Sequence, residues 1–341
     1  VSTRHFCTYF DHNYLPRGIV MLESLHEHCP HAQIHVLCLS DQCHAALAAL
    51  AYPYVSLIRL PHLEAADPEL AATQATRSLI EYYFTITPCL PWHLLTRDDT
   101  IDEVTYLDAD MMFFSSPEPI FEEAPRASVI ITPHKFAPHL AALIKFGMYN
   151  VSWLTFRRTT EGMACLAWYR KSCLNWCKDE LEADRFADQK YLDAFPQRFA
   201  GVHVMQHNGG GVAPWNLAAA SVTRRGNAVT VNGETLIFYH AQGFKHIRGP
   251  FYSSGFRDYS CSLTCEVRGG IVCQYARRYS LAVQALKGGR GSFVGIRQDL
   301  RSNFAFLRDC KSILREWEQQ ALVVCWSWRK FRHGQGRLCC R

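Results

Sequence analysis

Asp108 and Asp110 stand two residues apart in Tyr106-Leu107-Asp108-Ala109-Asp110, directly after the apolar run 104–107. Their i, i+2 spacing puts both carboxylates on one face of an extended chain, or on one rim if the chain turns. Two anionic oxygen ligands at a strand end suit a hard divalent cation, and such a cation suits a diphosphate. A lone D-x-D is common in surface turns. Here the apolar strand before it and Met111-Met112-Phe113-Phe114 after it argue against a solvated turn.

Other segments carry groups that complement such a site. Asp11-His12-Asn13-Tyr14 follows a first strand and precedes a helix. A carboxylate there can accept from a base N–H or a ribose hydroxyl, and equally well cap the helix. Arg77 begins a helix and can reach a phosphate or a carboxylate. Asn150 opens a strand-like run, where its amide can bond a sugar hydroxyl or the local backbone. Asp188-Gln189 pairs an acid with an amide, the groups that recognise sugar hydroxyls. His240-Ala-Gln-Gly243-Phe-Lys245 follows a strand. A neutral imidazole can complete a coordination shell begun by carboxylates. Gly243 permits close backbone approach to a phosphate, and Lys245 can pair with one.

The elements that must hold these groups alternate. Strands are expected at 5–10, 34–39, 55–60, 104–107 and 127–132. Helices are expected at 18–28, 43–50 and from 76 to a break at Pro88–Pro91. This pattern predicts an α/β fold, with a Rossmann-like, mainly parallel central sheet and helices on both faces. Ligands of such folds sit outside the carboxyl ends of the strands, where both Asp11 and Asp108–Asp110 fall. Further on, helices are expected at 161–178 and 184–195, and a flexible loop at 208–211. A hairpin turning at Asn232-Gly233 is expected to run into His240. The division expected is a catalytic domain over 1–250 and a basic, aromatic-rich helical extension over 251–341.

The chain has 341 residues, enough for one large α/β domain with appendages. With 48% hydrophobic and 20% charged residues it reads as a soluble globular protein, and no apolar run is long enough to span a bilayer. The first ten residues lack a basic stretch followed by an apolar one, which predicts no secretion signal. The 15 cysteines show no zinc-ligand spacing and read as reduced, mostly buried thiols of a cytoplasmic protein. The net charge of +5 gathers near the end of the chain. Residues 310–331 are expected as a helix. Trp326, Trp328 and Phe331 beside Arg329, Lys330, Arg332, Arg337 and Arg341 fit either a core-packed helix with a solvated basic end or a segment that docks on a partner or an anionic membrane surface at the inner face, and all of these better than a nucleic acid.

Taken in order, Asp11-His-Asn-Tyr14, Tyr106-Leu-Asp-Ala-Asp110, Asn150-Val-Ser152, Asp188-Gln189 and His240-Ala-Gln-Gly243-Phe-Lys245 resemble the family 8 glycosyltransferases. That family includes glycogenin and bacterial lipooligosaccharide galactosyltransferases, and the similarity covers residues 5–250. The resemblance implies a GT-A fold, a Mn²⁺ (or Mg²⁺) site and a nucleotide-sugar donor, usually a UDP-hexose. It implies transfer to a glycan or lipid-linked acceptor with retention at the anomeric carbon. On it, Asp108, Asp110 and His240 ligate the metal, with Ala109 between the acids at the nucleotide. Tyr9, Asp11, Asn13 and Tyr14 surround the nucleotide. Asp188 and Gln189 lie at the anomeric centre, with Asn150 and Arg77 at the sugar, and Gly243 and Lys245 hold the diphosphate. Only Phe244 separates Gly243 from Lys245, where the family has two residues, and Val151 replaces a small residue. A nucleotidyltransferase is the rival enzyme, but it calls for a Gly-rich basic loop where Asp11–Tyr14 stands. A non-catalytic sugar-nucleotide or glycan-binding protein is the other alternative.

Overall fold

The computed structural model describes residues 3–288 and 303–325. Strands β1 (Arg4–Phe10), β2 (Ala32–Cys38), β3 (Val55–Arg59) and β4 (Glu103–Leu107) pair in parallel in the spatial order β3-β2-β1-β4. β5 (Met111–Phe113) leaves this sheet. β6 (Val129–Pro133), β7 (Tyr149–Arg157) and β8 (Val202–Val204) complete it. β7 lies antiparallel between β4 and β6, and β8 closes the edge parallel to β6, giving seven strands in all.

Period-two alternation assigns the two faces. Phe6 and Phe10 of β1 enter one core, while Cys7 and Tyr9 enter the other. Helices α1 (Leu15–His28) and α2 (Asp41–Leu50) cover the first face, with the Cys273–Gly288 helix packed on α1. The Leu79–Arg97 and Thr160–Asn175 helices cover the second. The chain is therefore an α/β protein with a mixed, mostly parallel sheet flanked by helices, a Rossmann-like arrangement.

The Leu79–Arg97 helix does not break at Pro88 and Pro91 as expected but runs through both. Each proline removes an intrahelical bond and costs about 3 kcal/mol. The expected break neglected what holds the helix from outside: its middle, Thr85 to Pro91, is buried without interruption, and a Ser78–Glu81 capping box fixes its start. The helix expected at 184–195 also fails to form. Ala187 has a positive φ of 47°, and only a 3₁₀ turn, Lys190–Ala194, and a short helix, Phe195–Arg198, follow it. The three glycines of the loop at 208–211 are buried.

Residues beyond 212 build the small sheets. β9 (Val222–Arg225), β10 (Ala228–Val231) and β11 (Glu234–Thr235) form a meander, with Asn232 and Gly233 at positive φ in the expected turn. β12 (Phe238–His240) leaves the hairpin and pairs with β5. β13 (Lys245–Arg248) pairs with β14 (Phe251–Ser253), whose other edge pairs with β15 (Leu322–Val324). The C-terminal helix expected at 310–331 instead spans Asn303–Glu318. Gln319–Ala321 turn the chain, and β15 is buried against β14. The aromatic–basic cluster from Trp326 onward lies outside the described residues. No helix among the described residues is long and apolar enough to cross a membrane, and no disulfide joins the described cysteines.

Candidate metal and ligand site

β4 ends at Leu107, and its carboxyl end delivers Asp108. The Asp108 N–H donates to Ser152 O at 3.2 Å, and the Tyr106 hydroxyl donates to Asp108 Oδ1 at 2.9 Å. The chain turns through Ala109 and Asp110 into β5. Antiparallel pairing of β5 with β12 then sets Met111 opposite His240, so the imidazole arrives beside Asp110. Ala241 N–H donates to Asp110 O at 2.9 Å and His240 N–H donates to Val212 O at 2.8 Å, which locks the register. Beneath this ribbon Trp153 stacks on Phe238 at 5.5 Å and meets the rings of Phe6, Phe113 and Phe121. Fully burying such rings stabilises by roughly 1.5–3 kcal/mol each, enough to hold the ribbon rigid.

One ligand atom from each of Asp108, Asp110 and His240 lies within 4.8 Å of the others. His240 Nε2 is 3.0 Å from Asp110 Oδ1 and 3.7 Å from Asp108 Oδ2. Neither approach is aligned as a hydrogen bond, and both buried ring nitrogens lack a hydrogen-bond partner. Orphaned nitrogens facing two carboxylates are the donor set of a divalent cation. Burial, with the Asp110 carboxylate adding to it, pushes the Asp108 carboxyl above its ordinary range against the opposing pull of His240 and Tyr106. Burial acts upward on Asp110 too, but His240 and then Arg17 hold it low. Burial acts downward on His240, and the two carboxylates outweigh it.

Beside the cluster opens a cavity of about 450 Å³, within the range of small-ligand sites. Tyr9, Asp108, Asn150, Asp188, Gln189 and His240 all line it. Asp188 is 3% exposed, and burial raises its carboxyl to about 7, with Asp108 adding to the rise and Thr87 opposing it. Asn150 Nδ2 donates to Gln189 Oε1 at 3.2 Å, and Gln189 Nε2 donates to Phe146 O at 3.2 Å, so both amides are oriented. The Tyr9 hydroxyl lies 2.9 Å from Thr87 Oγ1. The cavity can therefore take a hydroxyl-rich ligand next to a bound cation.

The remaining expected residues sit elsewhere. Asp11 accepts from Asn13 N–H, Asn13 Nδ2 and Tyr14 N–H, so its carboxylate caps the entry to α1. Asn13 and Tyr14 are exposed at that corner. Arg77 does not face the cavity. It lies ahead of its helix rather than in it, and Nη2 donates to Leu174 O at 3.3 Å and Cys173 O at 3.5 Å, tying up the end of the Thr160–Asn175 helix. Gly243, with φ of 77°, faces Gly255, where an added Cβ would lie 3.1 Å from that Cα. Lys245 is exposed at the start of β13, away from the cavity lining.

Several further residues line the cavity that were not expected as site residues. His134 stacks on Phe136 at 4.5 Å, and burial lowers its imidazole to about 4, so it is neutral. Trp215 Nε1 donates to His134 O at 2.8 Å, and its ring meets His240 edge-on at 5.4 Å. Phe84 comes from the second turn of the Leu79–Arg97 helix. Position just past a strand end is the one clue that could have found His134.

No family model matches the chain. It is 31% identical to the uncharacterized protein YfnD of Bacillus subtilis (strain 168) over 247 residues, 72% of this chain and 79% of YfnD. It is 29% identical to the uncharacterized protein YfnF of the same organism over 251 residues, 71% of this chain and 82% of YfnF. Among solved structures it is similar to an active-site mutant of LgtC, with a TM-score of 0.48 and 16% identity over 82% of this chain and 95% of that one. It is also similar to mouse xyloside xylosyltransferase 1, with a TM-score of 0.44 and 12% identity over 70% of this chain and 98% of that one. The chain belongs to the family of Bacillus subtilis YfnD.

Proposed function

We propose that the protein is a metal-dependent glycosyltransferase that moves a hexose from a nucleotide-sugar donor, a UDP-hexose by its motifs, to a glycan or lipid-linked acceptor with retention. The observation that carries this reading is the convergence of Asp108, Asp110 and His240 at the mouth of a cavity walled by Asp188, Asn150 and Gln189. A bare acidic turn needs no buried histidine, and a plain sugar-binding cleft needs no cation ligands.

Asp108, Asp110 and His240 would hold Mn²⁺ or Mg²⁺, which when bound neutralises charge on the departing diphosphate. Tyr106 fixes the Asp108 carboxylate, and the β5–β12 register fixes His240. Asn150 and Gln189, each oriented by its partner, offer amide groups to sugar hydroxyls. Asp188, in the same cavity, orients the sugar at its anomeric carbon. The rings of Phe84, Phe136 and Trp215 exclude water there, which strengthens every polar contact inside. Residues 1–250 form the catalytic unit on this reading, and 251–341 an extension that brings the enzyme to its acceptor at the membrane face. Turnover of UDP- and GDP-hexoses with Mn²⁺, read as released nucleoside diphosphate, tests the reading. Release from one donor, abolished by chelator, supports it; release from none, with and without candidate acceptors, refutes it.

A further inference from the structure

A cation held by two carboxylates leaves little net charge to meet a diphosphate, so further positive groups must face it. No lysine or arginine lines the cavity among the described residues, and Lys245 points to solvent. Arg17 lies in the first turn of α1 and is half-buried. Its Nη2 donates to Phe244 O at 2.7 Å, on the same segment that delivers His240. The guanidinium carbon sits 4.7 Å over the Tyr14 ring and 5.8 Å from the Tyr279 ring. Its charge reaches Asp110.

Burial removes water from this cation and the positive end of the helix dipole opposes it, yet the tyrosines around it and Asp110 outweigh the burial and hold the guanidinium charged beside the Asp110 carboxylate. Among the described residues no carboxylate comes within ion-pair distance of Arg17. The guanidinium has five N–H donors, and Phe244 O is the one hydrogen-bond acceptor it meets among the described residues. Aromatic rings clamp it in one orientation, between the helix start and the segment carrying the third metal-ligand candidate.

The geometry points to Arg17 as a diphosphate-binding residue, which reaches the phosphates from the α1 side and supplies the charge that the exposed Lys245 does not. The inference rests on the nucleotide-sugar reading above. Its test is calorimetry of the Mn²⁺-loaded protein with UDP, UMP, uridine and inorganic pyrophosphate. Wild type should bind UDP and pyrophosphate; if it binds neither, both the nucleotide-sugar reading and the role of Arg17 fall. If it binds them, Arg17→Gln should lose about tenfold or more in affinity for UDP and pyrophosphate, less for UMP and nothing for uridine. Arg17→Lys should recover part of the pyrophosphate affinity, because the charge survives while the planar fork is lost. Equal losses for uridine and UDP, or a lysine variant as weak as the glutamine one, would show that Arg17 only ties α1 to Phe244. In the wild-type chain, Mn²⁺-pyrophosphate should shield Arg17 from phenylglyoxal in peptide mass spectrometry, and unchanged labelling overturns the assignment without any variant.

Discussion

Asp188→Asn should make the metal-free protein more stable while it disables the site. Asp188 is buried, and its carboxyl is raised from 3.8 to about 7, chiefly by that burial. Between about pH 4 and 7 the native protein therefore keeps a proton that the unfolded chain has lost. Stability falls as pH rises across that window and levels off above it. One pH unit is worth about 1.4 kcal/mol, so the full penalty of ionising Asp188 is about 4 kcal/mol. Asparagine mimics the protonated acid and carries no such penalty. Urea unfolding in chelator should show the variant ahead of wild type by about 2 kcal/mol at pH 5.5 and about 4 kcal/mol at pH 8.5. The gain should shrink when Mn²⁺ is added, because a nearby cation favours the ionised acid. A variant no more stable than wild type at pH 8.5, or a gap that ignores pH, would refute the claim that burial sets this carboxyl.

Tyr106→Phe should weaken Mn²⁺ binding about tenfold in calorimetry, since its hydroxyl orients Asp108 and such partners of metal ligands are typically worth 10–100-fold; unchanged affinity would count against Asp108 as a ligand. Gly209→Ala should lower stability by about 3 kcal/mol in urea unfolding, because the added methyl would lie 1.8 Å from Thr235 O; an unchanged midpoint would mean that the loop yields freely. The tail from Trp326 should give salt-dependent binding to anionic vesicles, at about 1 kcal/mol per basic residue. A chain cut after Cys325, which keeps buried β15, should stay folded and lose that binding; equal vesicle binding by both chains would refute a membrane role for the tail.

The D-x-D was legible because it follows the carboxyl end of β4, where a parallel sheet exposes its ligand edge, whereas His240 ends a strand of the antiparallel β5–β12 ribbon and was legible by its place after the hairpin. Asp188 was legible as a residue but not in its setting. Leu181, Phe186 and Leu192 mimic a helical stripe, whereas Leu181 is exposed and the positive φ of Ala187 turns the chain so that Asp188 points into the cavity. The proline-bearing helix was misjudged because local rules price the missing bonds and ignore burial. Arg77 and Lys245 were placed by motif order, and nothing in that order records that Arg77 is drawn to the end of a helix nearly 100 residues away. That Phe84, Phe136 and Trp215 meet in one wall was not legible, because they belong to separate segments with no shared spacing.

The central claim is that Asp108, Asp110 and His240 hold a divalent cation against the diphosphate of a nucleotide. Anomalous diffraction from crystals soaked with Mn²⁺ and UDP tests it most directly. One anomalous peak is predicted, bonded to oxygens of Asp108 and Asp110, to a His240 ring nitrogen and to the UDP phosphates, and absent in Asp110→Asn. UDP bound without a peak at these residues, or Mn²⁺ held elsewhere, would contradict the account.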